Sequence, residues 1–263
     1  MTINFGRVIE ATKPDSINVQ HYFQYQERTK DVQVVTDETC EQFVMVVKKR
    51  SDLRDVHFIS CNNDEQLRSA LHKVLSNHKK EDGYIKMSAI NIKHREFVEK
   101  LAHSCNFTFE ASPCLLYVYN TNIAQPSVHI PQDVIVKKLS VTDAQLVNSR
   151  WTYGSEHTLS YVQFLCEHRP TIGIYVDVNG TTQLVAWALV QEYGAIGMVY
   201  VEPEYRGKSF SKILVTNLGE KLLEDGSTPF CYIYHKNDLS KYLFKSLGYE
   251  EKATSDWLML SKI

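Results

Sequence analysis

Between Val199 and Gly219 an apolar run meets a proline, then a basic loop of small residues, then a helical repeat. The run ends at Val201, and Pro203 cannot continue a central strand because it has no N–H for the ladder. Ile213, Leu214, Leu218, Leu222 and Leu223 then recur at helical spacing. The order is strand, tight loop, helix. The loop's backbone N–H groups fall at a helix N-terminus, where the first donors have no intrahelical partner and the dipole favours negative charge. Arg206 and Lys208 add two full positive charges. Such a segment suits a pyrophosphate. It is not a Walker loop, because Gly207-Lys208-Ser209 lacks the earlier glycine that motif needs. It is not a dinucleotide fingerprint either, because the second and third glycines are absent.

The chain's 263 residues suffice for one large or two small domains. Hydrophobic content of 43% and charged content of 23% are those of an ordinary globular protein. Net charge is −2, and Lys48-Lys49-Arg50 and Lys79-Lys80 are isolated, so no electrostatic footprint for nucleic acid is visible. No apolar run approaches membrane-spanning length, and Met1–Ser16 has no apolar h-region. A cytoplasmic location without a membrane partner is expected. The cysteines at 40, 61, 105, 114, 166 and 231 form no Cys-x-x-Cys pair, so no metal is expected and reduced thiols are the default.

Residues 120–131 are rich in Asn and Thr, contain Pro126 and Pro131, and lack periodicity; they mark a domain boundary. The expected division is 1–125 and 132–263. After it, Val134–Leu139 reads as a strand, and Thr142 or Asp143 caps a helix running to about Trp151. A second helix opens at Ser155 and stops before Pro170. Thr171–Asp177 and Thr182–Val190 are strands joined by Asn179-Gly180, a hairpin signal. Strand Ala195–Val201, the loop and a helix to about Asp225 follow, then strand Pro229–Tyr234. Asp238 caps a helix ending at Leu247, with Gly248 as its stop, and Tyr249–Leu260 closes as a strand.

In the first half, Phe43–Val47 and Val56–Ile59 are strand-like. Asp64–Asn77 is helical, with Leu67, Leu71, Val74 and Leu75 on one face. Lys93–Cys105 is another helix, followed by Phe107 and a strand Cys114–Tyr119. This helix, aromatic and strand echo Leu239–Leu260, which suggests duplication. No phosphate loop is visible in this half, so support and oligomer or acceptor contacts are its expected role.

The loop Arg206-Gly207-Lys208-Ser209-Phe210-Ser211 resembles the acyl-CoA loop of the GNAT superfamily of N-acyltransferases, Gln/Arg-x-x-Gly-x-Gly/Ala, with serine at both small positions. The element order after Val134 is also that of the superfamily. Trp187 in Val185–Leu189, Asn237 after a strand, and the ending Leu243-Phe-Lys-Ser-Leu-Gly-Tyr249 add to the likeness. Lys138–Asn148, Trp151-Thr-Tyr-Gly154 and Pro203-Glu-Tyr-Arg206 resemble the glycine N-acyltransferase-like group with its FR47-like C-terminal domain. The implied fold class is α/β (α+β): a mixed, mainly antiparallel sheet flanked by helices, in two tandem halves of which the first is degenerate. That group is often mitochondrial, which stands as the alternative location.

The resemblance implies acyl-CoA or acetyl-CoA as co-substrate. Backbone groups of Met198, Val199, Tyr200 and Val201 would meet the pantetheine amides. Arg206, Gly207, Lys208, Ser209, Phe210 and Ser211 would hold the pyrophosphate, and Asn237 the pantetheine arm. The thioester would lie near Tyr232 and Tyr234, with a backbone N–H near Val199 as oxyanion donor. The family's carboxylate base falls at Ala195 and its general-acid tyrosine at Phe244, which is grouped with the cofactor-binding residues. The remaining candidates are Glu192 or His235 as a base acting through water, and Tyr234 as donor to the leaving thiolate. Against these stand plainer readings: Glu192 as a solvated turn residue, Tyr234 as a packing residue, and Cys231 as a buried strand residue. Three functions remain open. They are N-acyl transfer to a small amine such as glycine or another amino acid, N-acetylation of a peptide or protein, and a weak or inactive acyl-CoA-binding module. A homo-oligomer is compatible with each.

Overall fold

The computed structural model describes residues 6–24, 32–39, 41–49, 53–60, 64–124 and 126–263. The chain divides into two units, one of residues 1–116 with 252–263, the other of residues 117–251. Cys40 and Cys61 lie outside the described residues; Cys105, Cys114, Cys166 and Cys231 are free and buried.

In the first unit, α1 (Gly6–Ala11) and α2 (Ile17–Gln24) precede β1 (Val32–Thr36), β2 (Phe43–Lys49) and β3 (Leu53–Ser60). The three strands pair antiparallel, with Val34 opposite Val46 and Val46 opposite His57. α3 (Asp64–Ser76) buries Leu67, Leu71 and Leu75 completely. Their four-residue spacing makes one stripe along the helix. α3 carries the chain back to β4 (Tyr84–Asn91), which runs parallel to β3 from Leu53 opposite Tyr84 to Val56 opposite Met87. A parallel partner needs a crossover of this kind. α4 (Arg95–Ser104) and β5 (Phe107–Tyr119) follow. The sequence reading anticipates parts of β2, β3 and β5 and all of α3 and α4, but not α1, α2, β1 or β4.

A further strand of this unit comes from residues 252–262. It lies antiparallel to β4, with Ser255 opposite Asn91 and Ser261 opposite Tyr84. Leu258 and Leu260 are fully buried with Met45, Val56, Leu67 and Met87. Arg95 Nε donates to the buried Asp256 carboxylate at 2.7 Å. This differs from the expected division, which gave every residue from 132 onward to the second domain. The difference is physical: the apolar face of the last strand completes the first core.

In the second unit, β6 (Val134–Lys137), α5 (Ala144–Arg150), α6 (Leu159–His168), β7 (Thr171–Val178), β8 (Thr181–Val190) and β9 (Ile196–Val201) come first. The strands form an antiparallel sheet in the order β6-β7-β8-β9. Asn179 (φ 55°) and Gly180 (φ 80°) make the two-residue turn between β7 and β8, where both central residues need positive φ. Trp187 and Leu189 pack with Leu139 of the β6–α5 connection, Val147 of α5 and Val162 and Leu165 of α6. α7 (Phe210–Glu224) then buries Phe210, Ile213, Leu214, Leu218 and Leu222, with Leu223 half-buried. β10 (Phe230–Tyr234), α8 (Asp238–Ser246) and the start of β11 (Tyr249–Lys262) follow, Gly248 (φ 87°) stopping α8. β9 and β10 are joined by α7, as β3 and β4 are joined by α3. Unlike β3 and β4, β9 and β10 belong to different sheets. The first unit therefore closes its strand pair where the second leaves it open.

Because Leu258 and Leu260 lie in the first core, Leu258→Ala and Leu260→Ala should each lower stability by about 2–5 kcal/mol. Denaturant unfolding of the full chain measures this. Losses below about 1 kcal/mol for both would remove the strand from that core.

Candidate functional site

The ladder between β8 and β9 is irregular. Leu189 stands opposite Gly197 and Trp187 opposite Tyr200, so Met198 and Val199 together face Ala188. Met198 sits at φ 51°, in the left-handed region that disfavours a side chain. This is a β-bulge, which leaves a backbone group unpaired and re-aims it. β9 is also the edge strand of its sheet, so its outward N–H and C=O groups have no ladder partner.

Beyond Val201 the chain makes a short 3-10 turn, Pro203–Tyr205, and enters α7. Gly207 (φ 80°) and Ser209 (φ 61°) both take left-handed conformations. A Cβ on Gly207 would meet nothing within 4 Å, so the glycine serves the backbone conformation rather than a close contact. The N–H groups of Gly207, Lys208, Ser209, Phe210 and Ser211 donate to no described residue. Five consecutive donors without an acceptor among the described residues stand at the N-terminus of a 15-residue helix, an arrangement chemically suited to an anion. Arg206 Nε is tied to the Val201 carbonyl at 3.2 Å, with its guanidinium 6.0 Å from the Tyr200 ring. Lys208 Nζ lies 5.2 Å from the Tyr205 ring. Phe210 is buried, so only its backbone can serve the loop. Ser209 makes no side-chain cap, and Glu204 is exposed.

A cavity of about 390 Å³ lies between β9 and β10. Met198, Val199, Tyr200, Tyr234, Asn237 and Phe244 line it, so six of the expected site residues share one cavity. Trp187 backs the wall, stacked on Tyr200 with centroids 4.9 Å apart. Phe244 meets the Tyr249 ring edge-on at 5.0 Å. Asn237 caps α8 by accepting from the Ser240 N–H at 3.1 Å, which leaves its amide nitrogen as a donor. Tyr232 and Tyr234 stand on β10, Tyr234 being 45% exposed.

Glu192 and His235 are not among the lining residues. Glu192 is buried in the β8–β9 turn rather than solvated, and its carbonyl accepts from Arg169 Nη2 at 3.4 Å. His235 is half-buried, its ring 4.8 Å from that of Tyr234. Ala195 is buried beside Glu192. Among the described residues, no carboxylate lines the cavity. Sequence reasoning missed the part of the lining made by Val147, Arg150, Trp151, Thr152 and Tyr153 at the end of α5. The Trp151-Thr-Tyr-Gly154 phrase was the available signal. A Cβ on Gly154 would fall 1.9 Å from the Asn148 carbonyl oxygen, so only glycine lets this turn fold back on α5.

A family model described as FR47-like protein matches residues 171–258. An acetyltransferase of Yersinia pestis is 31% identical over 99 residues, 36% of this chain and 67% of that protein. The chain belongs to the GNAT family. The glycine N-acyltransferase of Bos taurus is 24% identical over 151 residues, 56% of this chain and 50% of that enzyme, so the match spans about half of its length. A Drosophila protein of solved structure shares the fold with a TM-score of 0.72 at 17% identity, over 98% of this chain and 97% of that one. A tandem GNAT protein from the clavulanic acid biosynthesis pathway does so at 0.57 and 12%, over 97% and 93%. Among the described residues, no helix is long and apolar enough to cross a membrane.

Cys231 lines this GNAT cavity, but burial pushes its thiol well above the ordinary range. The thiolate is the reactive form. Iodoacetamide at pH 8 should therefore leave Cys231 unmodified in the native protein while fully alkylating a model peptide, as read by mass spectrometry. Fast labelling would show an activated thiol.

Proposed function

We propose that this protein transfers an acyl group from an acyl-CoA thioester to the amine of a small acceptor, glycine or another amino acid among the candidates. The observation that carries the reading is the row of five unpartnered N–H groups, Gly207–Ser211, at the N-terminus of α7. Those donors, with Arg206 and Lys208, would take the diphosphate. The outward edge of β9 and the amide of Asn237 would receive the pantetheine arm. The cavity beside the Met198–Val199 bulge would hold the thioester, with the re-aimed N–H as oxyanion donor.

In this reading the amine attacks the thioester carbonyl. The C–N bond forms, the tetrahedral intermediate collapses, and the C–S bond breaks with the electron pair leaving on sulfur. Tyr234, on the cavity wall, would give its proton to the leaving thiolate. The nitrogen, cationic once the C–N bond has formed, would shed its proton to water, which would return one to Tyr234, because no carboxylate among the described residues lines the cavity and Glu192 and His235 stand off its wall. The absence of a base from the wall favours a second reading, an acyl-CoA-binding module with weak turnover.

Calorimetry with CoA, followed by thiol release from acetyl-, benzoyl- and longer acyl-CoA with an amine panel, separates the two. Arg206→Ala should weaken CoA about tenfold or more while leaving pantetheine binding unchanged. Unaltered CoA affinity would remove the phosphate cradle from the account. Glu192→Gln and His235→Ala should keep turnover within about twofold, against the factor of roughly 100 expected for loss of a general base.

A further inference from the structure

We propose that the guanidinium of Arg150 recognises a carboxylate on the acceptor, which rests on the acyl-transfer reading above. Arg150 closes α5 and is the one charged side chain among the described residues that line the cavity. Its neighbours there are Trp151, Thr152 and Tyr153, on the wall missed by the sequence reading. Nε of Arg150 donates to Glu202 Oε1 at 2.9 Å. Glu202 directly follows β9, and its side chain is 14% exposed against 47% for that of Arg150. The carboxylate thus holds the inner edge of the guanidinium from a fixed strand end. The terminal nitrogens Nη1 and Nη2 donate to no described residue.

A planar fork with two parallel N–H donors matches a carboxylate in a bidentate fashion, and anchoring at Nε lowers the entropy lost on binding. The carrier's diphosphate already has the five N–H groups, Arg206 and Lys208 on the loop before α7. The inner cavity wall near Trp187, Cys231, Ile233 and Phe244 is apolar and suits the acyl chain. Glu202 already balances the charge of Arg150, and a carboxylate on the amine would fill the two terminal donors that this ion pair leaves open.

The test uses the full chain saturated with CoA. N-acetylglycine and N-acetylglycinamide differ in carboxylate against carboxamide, and calorimetry compares them. Wild type should bind the acid at least tenfold more tightly, Arg150→Gln should bind the two alike with CoA affinity unchanged, and Arg150→Lys should keep part of the preference. Equal binding by wild type, or a preference surviving in Arg150→Gln, overturns the proposal. A loss of CoA affinity in that variant assigns Arg150 to the carrier's phosphates and also overturns it. Should Arg150→Gln not fold, the wild-type comparison and Arg150→Lys decide. Thiol release with glycine against glycinamide separates the two levels. No release with any amine ends the acyl-transfer reading, while the binding comparison still decides the role of Arg150.

Discussion

The parting of β9 from β10 governs the second unit. Two parallel strands joined by a helix ordinarily zip together, as β3 and β4 do across α3. In the second unit the same strand-helix-strand order is present, yet the two strands lie in different sheets. An edge without a neighbour leaves backbone donors and acceptors unanswered, and a buried one would be costly. Here the edge opens onto a cavity. The bulge at Met198 and the free N–H row before α7 continue the same theme. The site is made chiefly of main-chain groups, which is why side-chain chemistry along it is so sparse.

What side chains add is shape. Trp187 on Tyr200 and Phe244 against Tyr249 stiffen the two sides of the cavity. Aromatic contacts of this kind add about 0.5–1.5 kcal/mol beyond area burial.

The second unit was legible because its signals are local. Asn179-Gly180 specifies a turn by backbone conformation alone, and Pro203 with the Arg206–Ser211 loop marks a strand-to-helix transition. The first unit was harder. β4 alternates poorly because Ala89, at φ 57°, sits in its own bulge opposite Trp257, which shifts the facing pattern midway. The pairing of Arg150 with Glu202 spans 52 residues and has no local trace. The burial of Glu192 was likewise invisible, since a turn glutamate reads as solvated until its tertiary surroundings are known.

The partition of β11 bears on how the protein emerges during synthesis. Ribosomes deliver a chain from its N-terminus, and early domains commonly fold before later ones are made. Here residues 252–262 supply the neighbour that β4 needs and the leucines that close the first apolar interior. That interior stays unfinished until residue 260 has left the exit tunnel, so the N-terminal unit matures last although it is born first.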